Sequence, residues 1–480
     1  MNIKMIFSIL GRTLLIEAAL LFCPLLVGII YGEHSFADYL IPMAGLVVIG
    51  LPLSLIRTKD KAIYAKEGFV TVAFVWILMS LAGAVPFVLS GAIPNYADAL
   101  FETVSGFTTT GATVIANVEG LSHSLMFWRL FTHWIGGMGV LVFVLAILPG
   151  FDAGIMHVFR AESPGPSVGK LVSKLTFTAR ILYGIYILMT VVETIFLLCG
   201  GMSFFDSLLH AFSTAGTGGF GMKNDSIAFY NSVYIEMVIA VFMFLFGINF
   251  NLFYLLLIGN FKKAIKSEEF GAYIIMVVGA TLIIAVNILS TCANFGEAIR
   301  FSFFQVTSIS STTGFSTTDF NEWPALSKSI LIVLMIVGAC GGSTGGGVKV
   351  SRLIILIKSV AADIKRLIHP RAVVSTKFEG ELLGKDTQRN VNTYFILWVF
   401  IVIVCTVLLS IDVNDFLTNF TATLACIGNV GPGFNLVGPL SNYALYSPYS
   451  KVLLSFVMLV GRLEIFPMLI LLAPRTWRRG

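Results

Sequence analysis

The sequence predicts an all-α polytopic membrane protein. Four pseudo-symmetric repeats, each a helix, a pore loop and a second helix, are expected around one central pore, with an additional pair of helices before them at the N-terminus. Two observations predict this fold class. Of the 480 residues, 57% are hydrophobic and only 12% are charged, whereas a soluble domain has about 25% charged residues. A short motif that ends on or just after a glycine also occurs four times, at intervals of roughly 100 residues, which is typical of an internal repeat.

The four copies lie at 108–112, 216–220, 310–316 and 427–432, and we call them filter loops 1 to 4. The match extends upstream in the first three copies. Nine residues before the glycine stand Glu102, His210 and Gln305, and six residues before it stand Ser105, Ser213 and Ser308; the fourth copy has Ala422 and Ala425. An acid begins each preceding segment: Asp98, Asp206, Glu297 and Asp415. Because acids suit the positive N-terminal end of a helix, each loop is predicted to follow a short helix.

A short helix that stops at such a motif has the properties of an ion filter. A dehydrated cation must be surrounded by oxygens, which known filters supply as inward-facing backbone carbonyls. Glycine permits the positive φ angles that align successive carbonyls. One Thr-Thr-Gly is most simply a helix stop, but four copies in corresponding places favour a pore. The predicted ion ligands are Thr109, Thr110, Gly111, Thr217, Gly218, Gly219, Thr312, Thr313, Gly314, Asn429, Val430 and Gly431.

Apolar runs of about 20 residues, the length that crosses a membrane, flank every filter loop. Two runs, at about 5–31 and 38–56, form the N-terminal pair in residues 1–66, and the first is too long for a cleaved signal peptide. The repeats are predicted at 67–150, 177–261, 268–358 and 390–480. Helix, pore segment and helix are expected at about 68–91, 97–112 and 126–148; 178–200, 204–219 and 232–258; 271–290, 295–314 and 328–357; and 392–410, 414–431 and 451–473.

Basic residues predict the topology of these segments. Clusters of lysine and arginine fall in alternate loops and at the C-terminus, within 57–66, 160–180, 262–266, 358–389 and 475–479. The opposite loops carry only Lys223, Arg300, Lys328 and Lys451. By the positive-inside rule, both termini are cytoplasmic and every filter loop enters from outside. The net charge of +5 comes from these clusters, so it does not indicate nucleic-acid binding.

A glycine-rich segment from Gly338 to Lys349, which we call the Gly-rich loop, interrupts the run at 328–357. Each glycine costs a helix about 1 kcal/mol relative to alanine. A phosphate-binding P-loop is not indicated, because that motif needs Ser or Thr directly after its Gly-Lys. Irregular backbone at membrane depth is tolerated where it lines a cavity, and a flexible break without a functional role is the alternative. The candidate residues are Gly341, Gly342, Ser343, Thr344, Gly345, Gly346, Gly347 and Lys349.

Arg462 lies in the last apolar run, two residues before Glu464. It precedes Arg475 by about 20 Å of helix, too far to reach the cytoplasmic interface easily. A charge at that depth costs at least about 2.5 kcal/mol and usually faces a watery cavity or a partner. We therefore expect Arg462 to point into the pore and to meet the Gly-rich loop as a positive barrier. A buried pair with a carboxylate is the alternative, and the two do not exclude each other.

Five stretches resemble motifs of the Trk, Ktr and HKT superfamily of potassium transporters, and within it the bacterial Trk-type potassium uptake subunits: 101–113, 133–139, 160–166, 312–319 and 461–466. The resemblance covers nearly the whole chain. It implies K⁺ as the transported ion, a homodimer in the bacterial inner membrane, and a gating role for the Gly-rich loop beneath the filter. It associates glycine at the first filter position with potassium selectivity, which Gly111 fits. It also implies a separate cytoplasmic nucleotide-binding regulatory subunit, of the TrkA kind, on the basic loops near 150–177 and 358–391.

Other functions are less well supported by the residues. An intramembrane enzyme is not indicated, because HExxH, paired helical aspartates and a serine with a plausible base are all absent from the sequence. The six cysteines have no CxxC spacing, so neither a zinc site nor a disulfide framework is suggested. No nucleotide-binding GxGxxG fold and no organic cofactor are expected in this chain. A proton- or sodium-coupled potassium symporter stays open as the alternative to a channel.

Overall fold

The computed structural model describes residues 1–34, 36–56, 64–139, 175–371, 375–413 and 415–477. The fold is all-α, as predicted, and six of the described helices are long and apolar enough to cross a membrane, with a bent pair as a seventh candidate. Several predictions fall wholly or partly outside the described residues: the end of the helix at 126–148, the motif at 160–166, most of the basic loop near 150–177, and parts of the basic clusters at 57–66, 160–180 and 475–479.

The N-terminal pair consists of Ile3–Leu20, which continues almost directly into Phe22–Ile30, and Phe36–Ser54. Two glycines let the helices pack closely. A Cβ built on Gly11 would lie 2.4 Å from the backbone nitrogen of Ser54, and one built on Gly50 would lie 2.9 Å from the carbonyl oxygen of Gly11. The backbones therefore touch where both residues lack a side chain, which is the usual way for apolar helices to associate in a membrane.

Four units follow, each with a helix of 12 to 16 residues, here called its short helix, directly before the filter loop. Their helices are Ala65–Gly83 with Val85–Leu89, Tyr96–Phe107 and His123–Gly137; Leu175–Cys199, Phe204–Gly216, Val233–Phe246 and Phe250–Leu257; Glu268–Asn287, Phe295–Ser310, Ala325–Val337 and Val350–Ile368; and Lys385–Leu409, Phe416–Gly428, Pro448–Arg462 and Phe466–Leu472. Two further helices, Phe261–Ile265 and Pro474–Trp477, and a hairpin of strands Lys377–Phe378 and Glu381–Leu382 complete the described α-helices and strands.

The four short helices begin in the same way. In each, the side chain before the first turn accepts a hydrogen bond from a backbone N–H inside it; the four residues are Asn95, Ser203, Asn294 and Asp415. Such caps satisfy N–H groups that have no partner within a helix. The C-terminal halves of these helices are buried, so the short helices and the loops that follow them form the centre of the protein.

The run at 232–258 was predicted as one helix, and this prediction is wrong. Its two helices are bent by 92°. At the break, a Cβ on Gly247 would lie 2.4 Å from the hydroxyl oxygen of Tyr273, and the Asn249 side chain accepts a hydrogen bond of 3.0 Å from the N–H of Asn251 to cap the second helix. A single glycine and a cap inside an otherwise apolar run give a weak sequence signal for so sharp a bend.

The run at 451–473 is also not one helix, in contrast to the prediction. The first helix ends at Arg462, and Glu464 and Ile465 both have positive φ angles, 56° and 69°. A β-branched residue such as isoleucine rarely adopts this conformation, so the break is strained and local propensity does not predict it. Arg462 therefore lies at the end of a helix and not in its middle.

Candidate functional site

The four filter loops share one unusual backbone conformation. Two residues before the glycine of each filter loop, a residue that is not glycine adopts a positive φ: 53° at Thr109, 53° at Thr217, 61° at Thr312 and 52° at Asn429. The glycines that follow also have positive φ: 82° at Gly111, 80° at Gly219, 87° at Gly314 and 97° at Gly431. Positive φ is uncommon outside glycine. Its occurrence at matching places in all four loops shows that they are copies of one structure.

A repeated hydrogen bond holds this conformation. The residue just before each glycine donates its backbone N–H to a carbonyl near the end of the short helix, at 2.8 Å in every copy. The four pairs, donor first, are Thr110 to Ser105, Gly218 to Ser213, Thr313 to Ser308, and Val430 to Ala425. The fourth copy lacks the serine and keeps the bond, because the bond needs only the backbone.

The four loops close into a ring in the order of the sequence. A Cβ built on Gly111 would lie 2.2 Å from the carbonyl oxygen of Gly218 in loop 2. The same contact continues around the ring, from Gly219 to Thr313 O at 2.0 Å, from Gly314 to Val430 O at 2.1 Å, and from Gly431 back to Thr110 O at 2.6 Å. Each glycine therefore touches the carbonyl before the glycine of the next loop, and no side chain fits there.

The ring opens on one side into a single cavity of about 290 Å³. All four glycines line it, together with residues that follow them in the chain, such as Thr113, Ser316 and Pro432. Four of the twelve predicted ion ligands, these glycines, thus line one cavity, and the other eight directly precede them in the filter loops. Carbonyl oxygens around a ring, with the negative C-terminal ends of four short helices behind them, are suited to replace the water around a cation.

A buried ion pair that the sequence analysis missed joins loops 1 and 2. Arg129 Nε donates to Glu102 Oε1 at 2.7 Å, and these side chains are 2% and 0% exposed. Glu102 also accepts from the hydroxyl of Thr113 and the N–H of Val114, just after loop 1, both at 2.9 Å. Arg129 donates to the carbonyl of Gly221, just after loop 2, at 3.0 Å. The repeat pattern singles out Glu102, but it does not indicate Arg129 as the partner, because Arg129 lies in another helix.

Loop 4 has no threonine, and Asn429 occupies the corresponding place. Its side-chain nitrogen donates to the hydroxyl of Thr110 in loop 1 at 3.0 Å and to the carbonyl of Met458 at 3.1 Å. In loops 1 and 3 the hydroxyls on either side of the corresponding threonine bond to each other, Thr108 with Thr110 at 2.8 Å and Ser311 with Thr313 at 2.7 Å. Asn429 therefore adds a link between neighbouring loops.

The Gly-rich loop lies against the filter loops on the side away from the cavity. It touches residues that precede the filter glycines, whereas the cavity is lined by the glycines and residues after them. The N–H of Gly346 donates to the hydroxyl of Thr312 at 2.6 Å, and the N–H of Gly347 donates to the carbonyl of Gly428 at 3.0 Å. A Cβ on Gly346 would lie 2.2 Å from that same carbonyl. Glycine is needed because two backbones meet there.

Two cations lie at the Gly-rich loop: Lys349, its last residue, and Arg462, which was expected to meet it. Lys349 is 2% exposed, and its ammonium group donates to the carbonyl of Gly345 within the loop. The Arg462 guanidinium donates to the carbonyl of Thr344 at 2.7 Å and to the carbonyls of Gly136 and Gly137 at 2.5 and 2.7 Å. Arg462 thus joins the loop to the end of the first unit.

The carboxylate near Arg462 has a different partner. Glu464 forms an ion pair with Arg352, near the start of the helix after the Gly-rich loop. The Arg352 guanidinium also lies 4.0 Å from the centre of the Tyr394 ring. Sequence reasoning did not single out Arg352, because it stands in an amphipathic helix with several other cations. The pair connects the strained break after Arg462 to the end of the Gly-rich loop.

Comparison with known proteins identifies the family. The model of the TrkH family, described as cation transport protein, matches residues 42–479. The chain belongs to the TrkH family. A relative from this family, the Trk system potassium uptake protein TrkH of Escherichia coli K12, is 35% identical over the full length of both chains. The Trk system potassium uptake protein TrkG of the same strain is 32% identical, covering 95% of this chain and 94% of TrkG.

The fold also agrees with that of the TrkH family. The crystal structure of the potassium transporter TrkH from Vibrio parahaemolyticus matches with a TM-score of 0.89 and 32% identity, and the alignment covers all of both chains. The chain is therefore a helical membrane protein of a transporter family, and its relatives are potassium uptake proteins of the Trk system.

Proposed function

We propose that this chain conducts K⁺ into the cell through the ring of the four filter loops. The observation that carries the proposal is the closed ring, in which each filter glycine touches the carbonyl of the next loop. The printed function of the relatives, potassium uptake, agrees with it. The oxygens would come from the backbone of the twelve residues named above. The membrane potential would drive entry, at about 2.3 kcal/mol per charge for 100 mV.

The same proposal assigns gating to the Gly-rich loop. The loop touches the filter at Thr312 and Gly428, and Arg462 and Lys349 place positive charge beside it. A cation leaving the filter would meet these charges, so the loop must move before ions pass. Arg462 would hold the loop in place through the carbonyl of Thr344.

The surroundings of the pore complete the proposal. The basic clusters favour an orientation with both termini in the cytoplasm, and the family resemblance implies the bacterial inner membrane. A homodimer and a cytoplasmic nucleotide-binding subunit on the basic loops follow from the family resemblance. Mass measurement of the purified protein in detergent tests the dimer, and protease accessibility of tags on each terminus in sealed cells tests the orientation.

Cation flux into liposomes that contain the purified protein tests the conduction. Uptake of K⁺, Rb⁺, Na⁺ and Li⁺ is compared at a clamped membrane potential. We expect K⁺ and Rb⁺ to enter while Na⁺ and Li⁺ lag. Equal entry of all four ions would contradict the filter assignment, and uptake that requires a proton or sodium gradient would replace the channel by a symporter.

A further inference from the structure

One buried carboxylate holds both ends of the Gly-rich loop. Glu269 is the second residue of the helix Glu268–Asn287 and is 5% exposed. Its Oε1 atom accepts a hydrogen bond from the N–H of Gly341 at 2.6 Å and another from the N–H of Ser351 at 3.0 Å. Gly341 lies in the first third of the loop, and Ser351 lies just after its end. One oxygen atom therefore joins the entrance and the exit of the loop.

The bond to Ser351 also explains how the next helix begins. Ser351 is the second residue of the helix Val350–Ile368, and the residue before this helix, Lys349, makes no side-chain cap. The first N–H groups of a helix have no partner within it and favour negative charge. Glu269 supplies that partner from a different helix, so the start of this helix depends on the position of Glu269.

The backbone of Glu269 is in turn held by a hairpin on the side of the basic loops. The Oε1 atom of Glu379 accepts a hydrogen bond from the N–H of Glu269 at 3.1 Å and one from the hydroxyl of Ser267 at 2.8 Å. Glu379 and Gly380 form the two-residue turn between the strands, and both have positive φ, 51° and 80°. Such a turn matches the twist of a hairpin, so the Glu379 carboxylate has a defined place.

Further contacts attach the hairpin to the helix after the Gly-rich loop. Phe378 is buried and packs with Ile355 of that helix and with Val391. Lys358 in the same helix donates to the carboxylate of Glu268 and, at 3.0 Å, to the carbonyl of Lys377. The hairpin, the start of Glu268–Asn287 and the helix that leaves the Gly-rich loop therefore form one cluster.

We propose that Glu269 is a positioning residue for the gate, and that the hairpin passes displacements at the basic surface to the Gly-rich loop through Glu379 and Glu269. This inference rests on the proposed gating function of the loop. A hydrogen bond to a charged acceptor is roughly twice as strong as a neutral one. Replacing the carboxylate by an amide of the same shape weakens both bonds that hold the loop, so that its bonds to Thr312 and Gly428 keep it against the filter with less support and it leaves the filter more often.

The test compares three variants of the full chain in liposomes, Glu269→Gln, Glu379→Gln and Glu381→Gln. Glu381 is an exposed carboxylate of the same hairpin outside these contacts, so Glu381→Gln is the matched control. We expect Glu269→Gln to raise basal K⁺ flux roughly tenfold, Glu379→Gln to raise it less, and Glu381→Gln to leave it unchanged. The ratio of K⁺ to Na⁺ flux should stay the same in all three, since the filter is not altered.

Amide hydrogen exchange gives a second measurement that does not depend on flux. Exchange within residues 338–351 should be faster in Glu379→Gln than in Glu381→Gln, and this comparison decides the question even where Glu269→Gln fails to fold. Arg462→Gln distinguishes a failure of the proposed role of Glu269 from a failure of the proposed gate. Suppose that Arg462→Gln raises the flux, while Glu269→Gln and Glu379→Gln show normal flux and normal exchange. The proposed role of Glu269 is then wrong, and the proposed gate still holds. Normal flux in Arg462→Gln as well overturns the gate itself.

Discussion

Substitution of Gly314 by serine should remove the preference for potassium. A Cβ on Gly314 would lie 2.1 Å from the carbonyl oxygen of Val430, whereas ordinary contact begins at 3.4 Å. The two groups must therefore separate by the difference of these distances, about 1.3 Å. The φ of 87° at Gly314 adds strain, since a non-glycine residue in a rare φ/ψ region costs about 1–3 kcal/mol. Because that carbonyl belongs to the ring, its displacement changes the geometry of the proposed ion site.

The expected effect is a fall of at least about tenfold in the ratio of K⁺ to Na⁺ permeability, since about 1.4 kcal/mol corresponds to a factor of ten. The ratio is measured in liposomes at a clamped potential. Gly279→Ser is the matched control, because Gly279 lies in a transmembrane helix and a Cβ there meets nothing within 4 Å. An unchanged ratio in a folded Gly314→Ser protein, or an equal loss in Gly279→Ser, would refute the reasoning.

Three further predictions concern contacts around the ring. Arg462→Gln removes a charged donor to three carbonyls. It should raise basal K⁺ flux roughly tenfold or more, since hydrogen bonds to charged groups contribute about 1.5–3 kcal/mol. Unchanged flux would contradict the proposed barrier. Arg129→Gln leaves Glu102 buried without its cation and should cost about 3–5 kcal/mol, seen as a lower melting temperature in detergent, with partial recovery in the double variant Arg129→Gln/Glu102→Gln. A double variant no more stable than the single one shows that the unpaired charge is not the cause. Asn429→Gly keeps the positive φ and loses the amide hydrogen bonds, whereas Asn429→Ala loses both. The ratio of K⁺ to Na⁺ flux should therefore be higher in Asn429→Gly than in Asn429→Ala, and a higher ratio in Asn429→Ala would contradict this prediction.

The filter loops could be predicted from the sequence because their requirements are local. Each loop needs a glycine at a fixed distance from the end of a short helix, and the four copies carry the same signal. The Gly-rich loop is predictable for the same reason, since a run of glycines cannot continue a helix. The structure confirms both as elements, including the fourth loop, in which the backbone keeps the conformation although the side chains have changed.

The contacts that hold these loops could not be predicted in this way. Glu102 and Arg129 lie in different helices, and Glu269 reaches Gly341 and Ser351 from a helix much earlier in the chain. One sequence gives no information on which distant polar residues meet. The bend near Gly247 and the break after Arg462 were missed for a related reason. Their geometry depends on tertiary partners, which outweigh the helical propensity of an apolar run.

The closed ring has a consequence for how this pore can change over evolutionary time. Where identical subunits build a pore, a mutation alters every corner at once. Here all four corners belong to one polypeptide, so a mutation alters a single corner and leaves three intact. Asn429 illustrates the result, because its bond to Thr110 occurs at one corner only. In the proposed pore, one corner can therefore change while the backbone of the other three stays as it was.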